Sequence, residues 1–541
     1  MSKKILLYIG LASLVVAGGC TKNFNSINTD PTQANASQYD PNLLLSSQQI
    51  EYFNGTTGYS GALLLQSMWV QVLSSAAYPS YYSNGDKYVA SSNLTTYDAS
   101  LWTHCYNSAS YAYECQSLAK AKGQTNLMGI SLIMELLDIM NVTDTYGDAP
   151  FSQALQGKTS LNQPVYDSQQ DIYTSMLSKL DSVIPTLDAS KVIPTNDIFP
   201  YGKDADPATY IAQWKKFGYS LMLRMAMRLT KVDAATAQKY AEKAYAGGTF
   251  TGTGDDAYVT FDHADGYNNN NTSAWQTTED FSEVKWSATA INYLQANSDP
   301  RLSVIAEVPA AGAKAAASES TPGDATVSKQ IGMPNGYDQN GGATDISNAP
   351  GYPGGTGTGK DFYAVGNYSR MAIGEYVNLN TPAFAINYAE TELLLAEAAA
   401  RGWNVGASAS VHYANGLTAA LQSYATLSAY GTIPAGTITT YVAAHPLDIS
   451  SLTNSLTQIN TQYWITTGTL LDFNEAWSNW RRSGVPALTP VNYGGNFTQG
   501  TIPRRQEYPT SEASTNPNNY QSAVSKLSGG DQYTSRVWWD K

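Results

Sequence analysis

Aromatic rings and neutral amides meet in two stretches that lack the periodicity of a packed helix or strand. Residues 78–88 hold Tyr81 and Tyr82 beside Asn84 and Asp86, and residues 267–286 hold Asn269 with Trp275 and Trp286. Flat apolar faces beside hydroxyl-binding groups suit a neutral polyhydroxyl ligand. Sugar rings stack on the aromatic faces while their hydroxyls bond to Asn, Asp and backbone groups. We therefore take Tyr81, Tyr82, Trp275 and Trp286 as candidate stacking surfaces, and Asn84, Asp86 and Asn269 as hydroxyl partners. The plainer alternative is that each ring packs against its own loop.

Other chemistries find less in the chain. Asp144 and Asp148 are four apart, a spacing open to paired acid–base work. They flank a Gly-Asp turn, however, where such side chains bond backbone amides. Asp255, Asp256 and Asp262 offer oxygen ligands for a hard cation such as a structural calcium, although carboxylates in a glycine-rich loop are usually just solvated. No CxxC or HExxH occurs, and His104, His263, His412 and His445 are scattered. The sequence thus gives no convergent catalytic set and no required cofactor.

Address and composition narrow the class. Lys3 and Lys4 precede an apolar run over 5–17, followed by Gly18, Gly19 and Cys20. A charged start, a short apolar core and small residues describe an export signal, too short to span a membrane as a helix. Cys20 after small residues resembles a bacterial lipobox, with Ala17 where Leu is usual. We expect a signal over 1–19, a lipidated tether over 20–40 anchored through Cys20, and one domain over 41–541. The 541 residues carry 31 basic and 44 acidic side chains, a net charge of −13. That balance argues against nucleic acid, whose phosphates need clustered Lys and Arg. Tyr is unusually frequent, at 38, which suits a wet surface for neutral polar ligands. Cys105 and Cys115 read as two separate buried thiols, since ten residues of one helix put them ~15 Å apart, too far for a bridge.

The elements that would position these groups are helical. Residues 458–486 read as a helix with an apolar stripe, Arg481 and Arg482 in its last turn, and Gly484 and Pro486 as terminators. Further helices are expected at 43–53, 63–72, 100–121, 126–141, 168–187, 208–231, 234–246, 382–401, 408–427 and 452–463. The 382–401 helix is given Thr381 as its cap and Pro382 at its first position. Short turns join several of these into αα-hairpins. Arg224, Arg228, Glu397 and Arg482 lie on such helices and are expected to form buried or half-buried ion pairs between them. Residues 249–376 interrupt the pattern with a loop-rich, Gly/Asn/Ser/Thr-rich segment in which Tyr337, Tyr352 and Tyr363 are interspersed.

Taken in order, Cys20 with its signal, NTDP at 28–31, DTYGDAP at 144–150, WKKFGYSLMLRMAMRL at 214–229, ELLLAEAAAR at 392–401, EAWSNWRRSGVP at 475–486 and RRQEYPTSE at 504–512 resemble the SusD/RagB family of outer-membrane nutrient-binding lipoproteins, most closely its SusD-like branch. The resemblance implies a mostly α fold of stacked TPR-like hairpins with long irregular loops and few short strands. It also implies a ligand held by those loops and a partner in a TonB-dependent barrel transporter of the SusC type. Function is then expected to be non-enzymatic: capture of a nutrient, a glycan by preference, at the outer membrane, facing the cell exterior. The alternatives are an exported hydrolase and a lipid-anchored helical scaffold or oligopeptide-binding protein.

Overall fold

The computed structural model describes residues 39–276, 278–309, 322–354 and 367–541. Cys20, the export signal and nearly all of the 20–40 tether lie outside them, as does Tyr363. Asn42–Lys541 forms one compact unit, mostly α-helical. Its frame is a series of antiparallel helix pairs: Leu94–Ala121 on Thr125–Tyr146, Pro207–Arg228 on Ala234–Gly247, Tyr388–Ala400 on Ala409–Gln422, and Leu452–Thr469 on Phe473–Ser483. Tyr388–Ala400 also packs on Leu452–Thr469, so the pairs stack.

Local chemistry sets several of these boundaries. Ser168, Asp206, Asp233, Ser408 and Ser451 each accept a hydrogen bond from a backbone N–H of the first turn that follows, satisfying donors a helix start would otherwise leave bare. Thr125–Tyr146 is long and apolar enough to cross a membrane, but most of it is buried inside the domain, as befits a core helix. Cys105 and Cys115 both lie buried on Leu94–Ala121 and form no disulfide.

Two expected helices are corrected. The 458–486 stretch is two helices, because Leu471 adopts φ +67° and Asp472 starts the second by accepting from Glu475 N at 3.1 Å. The 382–401 stretch begins as a strand. Ala383–Ile386 pairs antiparallel with Ala257–Val259, and the helix starts only after Asn387, whose side chain accepts from Glu390 N at 2.8 Å. Thr381-Pro382 looked like a helix start, but the alternating Ala-Phe-Ala-Ile behind it found a strand partner. Among the described residues, three more two-stranded antiparallel sheets occur: Leu73–Ser75 with Val284–Trp286, Ala149–Pro150 with Tyr166–Asp167, and Ala306–Glu307 with Arg370–Met371.

Candidate functional site

A cluster of buried ion pairs lies where the helix pairs meet. Arg224 forms a bidentate ion pair with Glu390 and donates to Ala385 O at 2.8 Å. Arg228 lies 3.0 Å from Asp144 and also bonds Glu475, which accepts from Tyr463 Oη at 2.7 Å. Arg482 reaches both oxygens of Glu397 at 2.7 Å, with Arg401 and Asn460 on the same carboxylate at 2.7 and 3.0 Å. All of these side chains except Arg401 are buried. Burial opposes the charge on Glu397, but Arg482 and Arg401 outweigh it and hold the carboxyl down at about 2. Arg481 lies over the Trp477 ring at 3.5 Å and donates to the carbonyls of Asp144 and Arg504. Asp144 is committed to this hub through Arg228, Tyr173 and Trp539, and not to a turn. Asp148 accepts from Gln169 N at 2.9 Å. The two carboxylates therefore share no reacting centre. Paired in this way, these side chains tie the helices to one another, and Arg481 Nε alone among their guanidinium nitrogens is buried without a partner among the described residues.

The cation candidates do not converge. Asp255 bonds Lys216 and Thr251, Asp256 accepts from Tyr388 N at 2.6 Å, and exposed Asp262 accepts from Ala264 N at 3.0 Å. Among the described residues no group of three or more His, Cys, Asp or Glu could hold a metal ion.

The aromatic candidates fall mostly inside. Trp286 sits opposite Leu73 in a strand pair and donates to Ile305 O at 2.9 Å. Trp275 is fully buried edge-on to Tyr376. Tyr82 is buried too, and its hydroxyl meets Asp280 at 2.8 Å, joined there by the hydroxyls of Tyr81 at 2.9 Å and Tyr59 at 3.1 Å. A ring with no exposed face has nothing to offer a sugar, so Tyr82, Trp275 and Trp286 are corrected to core, and Tyr81 alone keeps a half-exposed ring. The polar candidates are buried and internally spent. Asn84 closes its own loop onto Ser91 N at 2.6 Å and Tyr81 O at 2.7 Å. Asn269 caps the Asn270–Ala274 helix and bonds Thr381 O at 3.0 Å. Asp86 pairs with buried Lys87 at 3.1 Å.

Asp86 nevertheless leads to the place where rings do surface. Its carboxylate accepts from Ser75 N at 3.1 Å, Asn335 Nδ2 at 2.7 Å and Gly336 N at 2.8 Å, tying the 73–88 segment to residues 335–336. Gly336 has φ +86°, a conformation that favours glycine, and a Cβ there would sit 2.7 Å from Val491 Cγ1, so glycine lets this turn lie against the Val491 side chain. Three separated segments thereby converge. Tyr78 and Tyr493 pair with centroids 5.4 Å apart. Tyr493 Oη donates to Asp338 at 2.5 Å, where Thr344 Oγ1 also donates at 2.8 Å. Tyr337 and Tyr352 pack on a small core of Ala76, Met333, Ile346, Ala349 and Tyr368. Tyr78, Tyr337 and Tyr352 are half-exposed, while Tyr493 is nearly buried and braces Tyr78. Burial works against the charge on Asp338, but the bonds from Tyr493, Asn340 and Thr344, with Lys87 nearby, win and hold the carboxyl below the usual range.

Beside these rings lies a cleft of about 370 Å³ whose lining includes Gln71, Thr289, Tyr337, Thr344 and Asn492. Neutral amides, hydroxyls and one aromatic face make up this set, and the size falls in the range of small-ligand sites. Tyr78, Tyr337, Tyr352 and Tyr493 are not among the stacking residues expected from the sequence. A signal was there: each borders Gly or Pro (Tyr78-Pro79, Gly336-Tyr337, Gly351-Tyr352-Pro353, Tyr493-Gly494), which places a ring on a turn. Trp286 instead alternates with Val284 across Lys285, the pattern of a strand.

The sequence model of a SusD-like family, described as starch-binding and associating with the outer membrane, matches residues 33–509. No curated protein matches the chain. Among solved structures, one of a chitin-binding protein is 29% identical, with 93% of this chain and 100% of that one covered at a TM-score of 0.74. A SusD-like protein from Bacteroidetes (22% identity, 93% and 100% covered, TM-score 0.76) and a chitin-binding SusD homolog from Flavobacterium johnsoniae (23% identity, 92% and 98% covered, TM-score 0.70) are similar in fold.

Proposed function

Because the chain belongs to the SusD-like family, whose description is starch-binding and associating with the outer membrane, we propose that it is a non-catalytic lipoprotein that captures a neutral, chitin-type oligosaccharide at the outer membrane and hands it to a TonB-dependent transporter of the SusC type. The observation that carries this is that half-exposed Tyr337 lines the neutral cleft, with Tyr352 packed on the same small core and Tyr78 paired with Tyr493, two residues beyond cleft-lining Val491. Rings supply stacking faces, while exposed Asn492 and half-exposed Thr344 supply donors and acceptors for hydroxyl and acetamido groups. The chitin-binding relative at 29% identity supports the choice of saccharide. The lining of this cleft carries no charged side chain, which suits a neutral ligand. In this reading 1–19 direct export, Cys20 carries the lipid, 20–40 form the tether, and the domain faces outward. Cys20→Ala then moves the protein from the membrane to the soluble fraction.

Calorimetric titration with chitin oligosaccharides, starch oligosaccharides and oligopeptides tests the proposal, with the solution analysed afterwards. The expected result is saturable heat with the chitin series and intact saccharide recovered. Released shorter products would make the protein a hydrolase, and heat with peptides alone would move it to another ligand class.

A further inference from the structure

A second cleft, of about 470 Å³, opens elsewhere on the helical frame, with Tyr293, Tyr413, His445, Asn454 and Gln458 among its lining residues. Four helices supply these groups or border them: Ala288–Ala296, Ala409–Gln422, Ala435–Ala444 and Leu452–Thr469. Helix packing ordinarily closes such a space with apolar side chains. Here the two phenols are held by amides. Gln462 Nε2 donates to Tyr293 Oη at 2.9 Å and Gln458 Nε2 donates to Tyr413 Oη at 3.1 Å. Each phenol oxygen is thus fixed as an acceptor, and its own O–H remains to donate. His445 lies on the Tyr441 ring at 4.1 Å, with Nδ1 2.8 Å from Tyr441 O. A carbonyl only accepts, so Nδ1 carries the hydrogen, and the neutral ring keeps Nε2 as an acceptor. Fixed donors, a fixed acceptor and ring edges are again the chemistry that recognises a sugar.

The two clefts share an element. Thr289 lines the first, while Tyr293 and Asn297 line the second. Spaced by four, these residues fall on one side of the Ala288–Ala296 helix and its cap, about 6 and 12 Å along the axis from Thr289. Exposed Asn292 and Ala296 continue that side, so the open face of one helix leads from cleft to cleft. We propose that the second cleft is a further saccharide subsite, reached along this helix by a linear, neutral oligosaccharide too long for the first cleft alone. This rests on the saccharide-binding reading above and extends it to ligand length.

The test compares a chitin disaccharide with a chitin hexasaccharide on the full chain, for the wild type and for Tyr293→Phe/His445→Leu. A second variant, Asn454→Trp, blocks the second cleft from an exposed position and leaves its packed walls alone. The wild type is expected to bind the hexasaccharide more tightly than the disaccharide. Both variants should lose about tenfold in hexasaccharide affinity, the weight of one or two good hydrogen bonds, with the disaccharide unchanged. Equal wild-type affinity for the two lengths, or variants that match the wild type on the hexasaccharide, would overturn the subsite and leave the first cleft standing. A wild type that binds neither saccharide would overturn both readings.

Discussion

The helix-pair hub and the tyrosine face solve opposite problems. In the hub, five arginines and acids (Arg224, Arg228, Glu390, Glu397 and Glu475) are buried, and each is met by an opposite charge. Desolvating a charge is expensive, so such pairs hold only when every partner is present. On the tyrosine face the cleft is lined by neutral groups, and the buried carboxylates beneath it, Asp86 (also paired with Lys87) and Asp338, accept from loop backbone, amide and hydroxyl donors. The lesson is a division of labour. Paired charge fixes how helices stack, and carboxylate-pinned loops present uncharged rings. A ligand without charge then meets a lining of amides, hydroxyls and one aromatic ring.

The largest expected effect breaks the hub. Glu397→Ala strands Arg482 in the interior and should cost roughly 3–5 kcal/mol, read as a lower midpoint in denaturant unfolding. Saccharide affinity, measured well below the transition, should stay within twofold. Lost binding at unchanged stability would erase the distinction between hub and face.

Next comes the face itself. Tyr78→Ala with Tyr337→Ala removes two half-exposed rings. Stacking on an aromatic is worth ~1–3 kcal/mol per ring in the related case of nucleobases. We therefore expect affinity to fall at least about tenfold, with the circular dichroism spectrum unchanged.

A smaller effect separates the pin from the rings. Asp338→Asn keeps the shape but weakens the bond from Tyr493, at about 1 kcal/mol. Because the folded carboxyl titrates below its unfolded value, its contribution is complete above the unfolded value of ~4 and disappears as pH falls through the folded one. The stability gap between wild type and variant should therefore be constant near neutrality and close in acid. A gap that widens in acid would show that the carboxyl is not held low.

The smallest effect is a control. Trp275→Phe trims a buried ring whose indole N–H has no partner among the described residues, so binding should not change and the melting temperature should move little. A large loss of affinity would return Trp275 to the site.

The fold was legible where one force dominated. The 3.6-residue apolar periods of Thr125–Tyr146 and Pro207–Arg228 specify helices locally. That Arg224 and Arg228 would be ion-paired was readable because a charge on a helix surrounded by apolar residues needs a partner. Ala383–Ile386 was not, since its strand character depends on a partner more than a hundred residues away. The site was half legible. Residue types on loops pointed to neutral ligands, but the buried indoles and the exposed phenols differ in tertiary burial, which composition does not encode. Asp86 shows the gap best: a polar residue in an aromatic loop looks like a ligand contact, and it is the clamp that brings the loops together.

Hydrogen–deuterium exchange of the full chain, with and without saturating chitin hexasaccharide, tests the central claim most directly. The account predicts slowed exchange over 76–82, 335–346 and 489–493, with the hub helices Tyr388–Ala400 and Phe473–Ser483 unaffected. Protection absent from those loops while the saccharide is demonstrably bound would contradict it.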